Sequence, residues 1–310
     1  MGNSLERILV TGGDGFLGKK VVKNLVGKGY NVYAPKIEEY NLVHEEPVRK
    51  MFEENGPFNK TVHLAARVGG IDYNKNNPGT AFYENIMMNV LIQEYSRLNN
   101  VEKFLGIGSV CAYPKNTPVP FKEENLWKDK PEETNAPYGL AKKMMMVQSE
   151  AYRKQYGFNA IHLLMVNLYG PGDNFNPKNS HVIPATIKKI IDAKESRKEE
   201  IVMWGTGKAS REFIYVEDAA EAIVLAMEKY DKPNPINIGS GMEITMKELS
   251  EKIISFTDYP GQVNWDITKP EGELRRCLDI SKAEEEFGFR AKIGFDEGLK
   301  ETIDWYLKNK

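Results

Sequence analysis

The segment Arg7-Ile8-Leu9-Val10-Thr11-Gly12-Gly13-Asp14-Gly15-Phe16-Leu17-Gly18 runs from an apolar stretch into glycines spaced by three. The apolar stretch predicts a short buried strand, and the residues from Phe16 to about Leu25 have the spacing of an amphipathic helix. The three glycines let the backbone turn tightly and approach a pyrophosphate at the N-terminus of that helix. Because this turn follows the first predicted strand directly, the segment favours a dinucleotide-binding turn over a plain glycine-rich loop.

Strand and helix patterns alternate as far as residue 167, which predicts an α/β fold with a doubly wound parallel sheet of the Rossmann type. We expect a dinucleotide-binding domain at residues 1–167 and 213–239. A smaller, discontinuous C-terminal substrate lobe is expected at residues 168–212 and 240–310. The main predicted elements are strands at Tyr30–Ala34, Thr61–Ala66, Phe104–Ser109, Ala160–Asn167 and Ile236–Gly239 and a long helix at Pro78–Leu98.

The composition excludes several classes of protein. The 310 residues carry a net charge of −2, which gives no support to a nucleic-acid or anionic-membrane surface. Two cysteines, Cys111 and Cys277, are too few for a disulfide framework or a cysteine-only zinc site, and the histidines lack metal-ligand spacing. The pattern of the first residues predicts no apolar leader, and the sequence shows no membrane-length apolar run. We therefore expect a cytoplasmic protein without a metal, a nucleic-acid partner or a membrane span.

A tyrosine and a lysine four residues apart, Tyr138 and Lys142, follow a proline that favours a helix start. The ammonium would favour the phenolate, so we expect a lowered pKa for Tyr138 and proton transfer with a carbonyl or alcohol oxygen. Ser109, at the end of a predicted strand, would donate a second hydrogen bond to the same oxygen. Together with a dinucleotide turn, these residues predict hydride chemistry at a carbon–oxygen centre. A second pair, Tyr306 and Lys310, has no such surroundings.

The choice between NADP and NAD depends on the loop after the second strand. Lys36 could meet a 2′-phosphate, which favours NADP. Asp14 and the pair Glu38-Glu39 would repel that phosphate. NADP is slightly preferred, and NAD stays open.

Five segments resemble the extended short-chain dehydrogenase/reductase family, and the resemblance covers nearly the whole chain. The last of them, together with Cys111, is the most specific. The segments are His63–Gly70, Gly108–Pro114, Pro137–Lys142, Asn167–Phe175 and Asn179–Ala185.

The resemblance implies an NADPH-dependent enzyme that epimerises a GDP-4-keto-6-deoxyhexose at C3 and C5 and reduces it at C4. It implies Cys111 as base and His181 as acid, with Tyr138 protonating the C4 oxygen beside Ser109 and Lys142. It also implies a homodimer through the helices at 78–98 and 138–155. The GDP portion would contact Lys189, Trp204, Arg211 and Glu271. The cofactor would contact Gly12, Gly15, Phe16, Leu17, Gly18, Lys36, Ala65, Ala66, Tyr138, Lys142, Asn167, Leu168 and His181.

Other functions are compatible with parts of this pattern. A nucleotide-sugar epimerase with tightly bound NAD would use the same fold without net reduction, and a reductase of a related GDP-4-keto sugar would use the same residues. A redox-sensing protein without catalysis would have a broken Tyr-x-x-x-Lys pair. Since Tyr138, Lys142 and Ser109 are all present, the sequence favours an enzyme.

Overall fold

A computed structural model describes residues 6–177, 179–269 and 272–310. These residues form three sheets and the helices packed on them. The strands are β1 (Arg7–Thr11), β2 (Asn31–Tyr33), β3 (Lys60–His63), β4 (Lys103–Ser109), β5 (Ala160–Met165), β6 (Asn167–Tyr169), β7 (Glu200–Trp204), β8 (Ser210–Tyr215), β9 (Ile236–Ile238), β10 (Glu243–Thr245), β11 (Gln262–Asp266) and β12 (Arg275–Arg276). The helices are α1 (Phe16–Gly27), α2 (Glu45–Asn55), α3 (Ile71–Asn76), α4 (Pro78–Leu98), α5 (Ala136–Tyr156), α6 (Val182–Glu195), α7 (Val216–Lys229), α8 (Met246–Thr257), α9 (Ser281–Phe287) and α10 (Phe295–Asn309).

The main sheet has the order β2-β1-β3-β4-β5-β9, and all its pairs are parallel. Helices cover both faces, so its strands are buried apolar runs, as in β1 and β5. The strand order reverses at β1, because β2 lies on one side of it and β3 on the other. Ligands of such sheets bind beyond the carboxyl ends of the strands at this reversal. The predicted doubly wound fold is confirmed.

The second sheet contains β10, β8 and β12, with β6 also paired to β8, while β7 and β11 form a separate pair. The isoleucines of α6 pack with residues of α8 and α10 in a core of their own. This lobe differs from the expected boundaries at two places. Strand β8 pairs with β6 as far as Tyr215, so residues 213–215 belong to the second sheet. Phe287 and Phe289 pack into the core of the main sheet instead of the lobe.

Helix α5 is fixed against α4 by buried side-chain amides. Asn89 Nδ2 donates to the Ala141 carbonyl at 3.1 Å, and one turn further along Gln93 Nε2 donates to the Met145 carbonyl at 3.0 Å. The other end of Asn89 contacts His63 Nε2 at 3.1 Å. Because each contact is buried, losing one would leave an unpaired polar group. The network therefore fixes the first turns of α5 relative to the sheet.

None of the helices in the described ranges is long and apolar enough to cross a lipid bilayer.

Candidate active site

A cavity opens at the carboxyl edge of the main sheet. Its volume of about 980 Å³ is at the upper end of the size range of small-molecule sites. One wall is formed by the glycine turn and the ends of β3 and β4. Another is formed by the start of α5, and the lobe contributes Trp204, Arg211 and Arg276. Across the described residues, no group of three or more His, Cys, Asp or Glu side chains is arranged to hold a metal ion.

The glycine turn has the shape that a pyrophosphate needs. Gly12 has a φ of +69°, which favours glycine, and a Cβ on Gly18 would lie 2.0 Å from the Gly12 carbonyl oxygen. Helix α1 begins after Gly15 without a side-chain cap, so its first N–H groups are available to an anion. Residues 15–18 all line the cavity. The chemistry of these donors fits a dinucleotide cofactor.

Ser109, Cys111 and Tyr138 converge on the cavity from three elements. Ser109 ends β4, and Cys111 lies in the one-turn 3₁₀ helix Val110–Ala112, where its backbone N–H donates to Ser109 Oγ at 3.2 Å. Helix α5 comes close to this turn at Gly139, where an added Cβ would lie only 2.4 Å from the Cys111 carbonyl oxygen. Glycine at this position therefore lets Tyr138 approach both Ser109 and Cys111.

Burial controls the acid–base properties of the tyrosine–lysine pair. Desolvation raises the pKa of Tyr138, the nearby Cys111 sulfur raises it further, and a hydrogen bond with Ser109 acts in the opposite direction. Desolvation lowers the pKa of Lys142 to about 8. The expected lowering of the Tyr138 pKa is therefore wrong for this cavity, because burial and the Cys111 sulfur together outweigh the lowering by the Ser109 hydrogen bond. A raised pKa keeps the phenol protonated, as a proton donor must be.

His181 is the N-cap residue of α6 and lines the same cavity as Cys111. Burial lowers the pKa of His181, so negative charge nearby is needed to favour its imidazolium form. His63 has a different role. It is fully buried and contacts Thr11 Oγ1 at 2.7 Å as well as Asn89, and burial lowers its pKa to about 3. His63 is therefore a neutral structural residue.

The structure brings most of the predicted contact residues to the cavity, but not all of them. Lys36 does not line the wall, although Pro35 and Ile37 on either side of it do. Lys189 does not line it either, because its ammonium donates to the Val202 carbonyl of β7. Glu271 lies outside the described residues. The predicted residues that do line the wall are Gly12, Gly15, Phe16, Leu17, Gly18, Ala65, Ala66, Ser109, Cys111, Tyr138, Lys142, Asn167, Leu168, His181, Trp204 and Arg211.

Two polar groups at the wall were missed by the sequence reasoning. Arg276 Nη1 contacts Cys111 Sγ at 3.6 Å across 165 residues of chain, and no motif marks this arginine. Asn74 donates from Nδ2 to Asn135 Oδ1 at 3.0 Å, while its own Oδ1 is buried without a hydrogen-bond partner among the described residues. No sequence motif marks Asn74, which lies in the short helix α3.

A parallel dinucleotide-binding sheet with Ser109, Tyr138 and Lys142 at one cavity defines an oxidoreductase of the short-chain dehydrogenase type. Residues 8–239 match the NAD dependent epimerase/dehydratase family, and the chain belongs to this family. The resemblance on which the sequence prediction was based is thus confirmed.

The similarity to relatives with named activities covers nearly the whole length of the chain. The chain is 38% identical over 305 residues to "Probable GDP-L-fucose synthase 1" of Oryza sativa subsp. japonica, covering 98% of this chain and 92% of that protein. A GDP-6-OMe-4-keto-L-xylo-heptose reductase from C. jejuni has a TM-score of 0.93 at 29% identity, covering 99% of both chains. MlghC, a GDP-mannoheptose C4 reductase from Campylobacter jejuni with NADP bound, has a TM-score of 0.88 at 30% identity, covering 99% of this chain and 100% of that one.

Proposed function

We propose that the chain converts a GDP-4-keto-6-deoxyhexose, with NADPH, into the C3- and C5-epimerised and C4-reduced GDP-sugar. One observation carries this proposal: a single cavity contains both a reduction set, Ser109, Tyr138 and Lys142, and a candidate acid–base pair, Cys111 and His181. The names of the relatives, GDP-L-fucose synthase and GDP-sugar reductase, support it independently.

Epimerisation depends on the acidity that the 4-keto group gives to the protons at C3 and C5. Cys111 takes a proton from one face of the sugar as thiolate, and the electrons move into the enolate of the 4-keto group. His181 returns a proton on the opposite face. Before the second carbon reacts, Cys111 loses the abstracted proton to solvent and His181 takes up another. Each inversion therefore consumes no cofactor, and both carbons exchange a proton with solvent. The negative charge of the thiolate and the substrate favours the imidazolium of His181.

Reduction follows at C4 of the same sugar. A dinucleotide bound at the glycine turn would supply the hydride. Tyr138 delivers a proton to the C4 oxygen while Ser109 donates a second hydrogen bond to it. The raised pKa of Tyr138 keeps that proton in place until hydride transfer. Lys142, one turn further along α5, would hold the nicotinamide ribose.

NADP is the cofactor that we propose, and NAD is its competitor. The NADP-bound relative and the uncapped N-terminus of α1 support a phosphate-rich ligand. Asp14 lines the cavity wall, where it would repel a 2′-phosphate, and Lys36 does not line it. Activity should therefore be measured with NADH as well as with NADPH.

The deciding experiment incubates the enzyme with GDP-4-keto-6-deoxymannose in deuterated water, with NADPH or NADH. We expect oxidation of the reduced cofactor and deuterium at C3 and C5. The Cys111→Ser variant should lose exchange, and Tyr138→Phe should keep exchange while reduction slows by about a hundredfold or more. Cys277→Ser is the matched control, because Cys277 is buried away from the cavity wall and should change neither reaction.

Each other outcome points to a different function. Deuterium without cofactor oxidation would indicate an epimerase that retains its cofactor. Oxidation without deuterium would indicate a C4 reductase of a sugar that has already been epimerised, such as a 4-keto heptose, the kind of sugar for which the C. jejuni reductase is named. The absence of both exchange and oxidation would rule out the proposal.

We also propose that the chain is a homodimer through α4 and α5. These helices pack side by side and present an apolar stripe to solvent. Phe82 and Val90 of α4 are 39% and 38% exposed, and Val147 of α5 is 43% exposed. Ile86, Leu140 and Met144, which are half-buried, complete the stripe. Contiguous exposed apolar surface of this kind is typical of a protein–protein contact.

A further inference from the structure

We propose that Arg276, oriented by Glu273, is a positioning residue that holds the Cys111 sulfur as a thiolate. The inference deepens the proposed function and rests on it for the role of Cys111 as base. It assigns a positioning role to a second residue of the lobe, which already contributes His181 to the cavity.

The geometry around the sulfur is specific. Arg276 Nη1 lies 3.6 Å from Cys111 Sγ, within reach of an N–H donor to sulfur. The same guanidinium is held by Glu273 Oε2, at 2.8 Å from Nε and 2.7 Å from Nη2. Both side chains of this ion pair are only 11% exposed. Because Glu273 binds Nε and Nη2 of the planar guanidinium, the direction of the remaining nitrogen, Nη1, is fixed. Nη1 is the atom that contacts the sulfur.

The backbone fixes the arginine as firmly as the ion pair does. Arg276 is in β12, whose pairing with β8 places Arg276 opposite Arg211. Both residues line the cavity. The sulfur is presented from the opposite side by the turn after β4, with its backbone N–H bound to Ser109 Oγ. Two separate sheets therefore determine the distance between sulfur and guanidinium.

Other charged and titratable groups line the same cavity as the sulfur, besides Arg211 opposite Arg276. Helix α5 contributes Tyr138, which its raised pKa keeps neutral, and the Lys142 ammonium. The loop before α5 contributes Glu132, which acts on Arg276 and is itself engaged by Thr134 and Asn135. The start of α6 contributes His181 to the same cavity. Burial alone would lower the pKa of Arg276, but the Cys111 sulfur, Glu273 and Glu132 raise it above its usual value. The arginine is thus charged, and a cation in contact with a thiol favours the thiolate.

The test uses alkylation of Cys111 by iodoacetamide, which reports the thiolate and requires no substrate. The rate is measured from pH 6 to 10 on the full chain by peptide mass spectrometry, in the wild type, Arg276→Lys and Arg276→Met. We expect Arg276→Met to slow alkylation near pH 7 by about tenfold and to move the pH midpoint upward, with Arg276→Lys in between. The plateau rate at high pH corrects for any change in access. Cys277, which is 8% exposed, is an internal control whose alkylation should be the same in all three proteins.

Exchange of the C3 and C5 protons in deuterated water gives the second measurement. Its pH optimum should move upward in Arg276→Met together with the alkylation midpoint. An unchanged midpoint in a variant with a normal melting curve would overturn the inference, and so would an effect confined to the KM of the substrate. A shifted midpoint in a protein that catalyses no exchange at all would support the arginine–cysteine pair and overturn the proposed function instead.

Discussion

Lys142 shows how a single catalytic side chain affects stability. It is 1% exposed, and desolvation lowers its pKa from 10.5 in the unfolded chain to about 8. Between these two values the unfolded chain binds more protons than the folded one, so the free energy of unfolding rises with pH across that window. Below pH 8 the lysine is charged in both states, and the folded state bears the full cost of burying that charge. At neutral pH the buried charge of Lys142 therefore lowers the free energy of unfolding.

The Lys142→Met variant should accordingly be more stable and less active. At pH 7 we expect a gain in the free energy of unfolding of up to about 3 kcal/mol, at 1.36 kcal/mol per pKa unit, and a shrinking gain as pH approaches 10.5. Cofactor oxidation should fall by about a hundredfold or more. Urea unfolding at pH 7 and pH 10, with cofactor oxidation at pH 7, measures both effects.

Lys143 offers the matched control on the same helix. It is 3% exposed, but its ammonium donates to the Leu126 carbonyl at 2.7 Å and to the Asp129 carbonyl at 3.3 Å. Lys143→Met leaves those carbonyls unpaired, so it should destabilise the fold by about 1–3 kcal/mol without a direct effect on reduction. A loss of stability in Lys142→Met as large as in Lys143→Met would contradict the account of Lys142.

Residues within a local motif could be predicted from the sequence, and residues brought in by tertiary structure could not. Ser109, Tyr138 and Lys142 follow from a strand end and a helical spacing, and the structure places all three at the cavity. Arg276 contacts Cys111 because β12 pairs with β8, and no sequence pattern in either strand predicts this pairing. Lys36 and Lys189 had the right charge in the right segments, but the direction of a long flexible side chain is decided by its neighbours.

At the scale of elements, the contact between α5 and the turn at Cys111 is the most constrained in the site. An added Cβ at Gly139 would lie 2.4 Å from the Cys111 carbonyl oxygen and 3.1 Å from its carbonyl carbon, and neither backbone atom can rotate away. Gly139→Ala should therefore push α5 from the turn and separate Tyr138 from Ser109. We expect a fall in kcat of at least tenfold, since misplacement by about 1 Å can cost a hundredfold. Steady-state kinetics and thermal unfolding measure the two consequences.

Gly27 is a helical glycine with open space around it and serves as the comparison. A Cβ there would have no heavy atom within 4 Å. Gly27→Ala should leave kcat unchanged and stabilise the fold by up to about 1 kcal/mol through helix propensity. If Gly139→Ala behaves like Gly27→Ala, the close packing of α5 against the turn is not a requirement of catalysis.

Element boundaries that depend on local sequence features were predicted correctly, and those that depend on strand partners distant in the chain were not. Helix α4 runs from Pro78 to Leu98 as predicted, because a proline start and a long apolar period are local features. Strand β3 was expected to continue to Ala66 but ends at His63, where its parallel register with β1 and β4 also ends. The extension of β8 into the second sheet depends on its partners β6, β10 and β12, which are far apart in the chain.

At the scale of the whole molecule, the cavity requires both parts of the chain. The part of the chain built on the main sheet supplies Cys111 and Tyr138, from the turn after β4 and from α5, and the lobe supplies Trp204, Arg211 and Arg276. The alternation of strands and helices was enough to predict the sheet and the edge at which ligands bind. It was not enough to predict that residues 281–289 return to the main core, because an apolar helix face does not identify the core that it joins. The exposed apolar stripe on α4 and α5 likewise does not identify its partner, and the proposal that it joins two copies of the chain can be tested directly.

Val147→Glu should convert the proposed homodimer into a monomer. A glutamate at this position places a charge within the apolar stripe on α4 and α5, and two-fold symmetry would bring it close to its counterpart on the second chain. We expect at least a tenfold weaker association by analytical ultracentrifugation, with an unchanged melting curve for the monomer. Leu307→Glu is the control, since Leu307 on α10 is 45% exposed against 43% for Val147 but lies outside the stripe. Equal dissociation of both variants, or a wild-type chain that is monomeric at micromolar concentration, would contradict the α4–α5 interface.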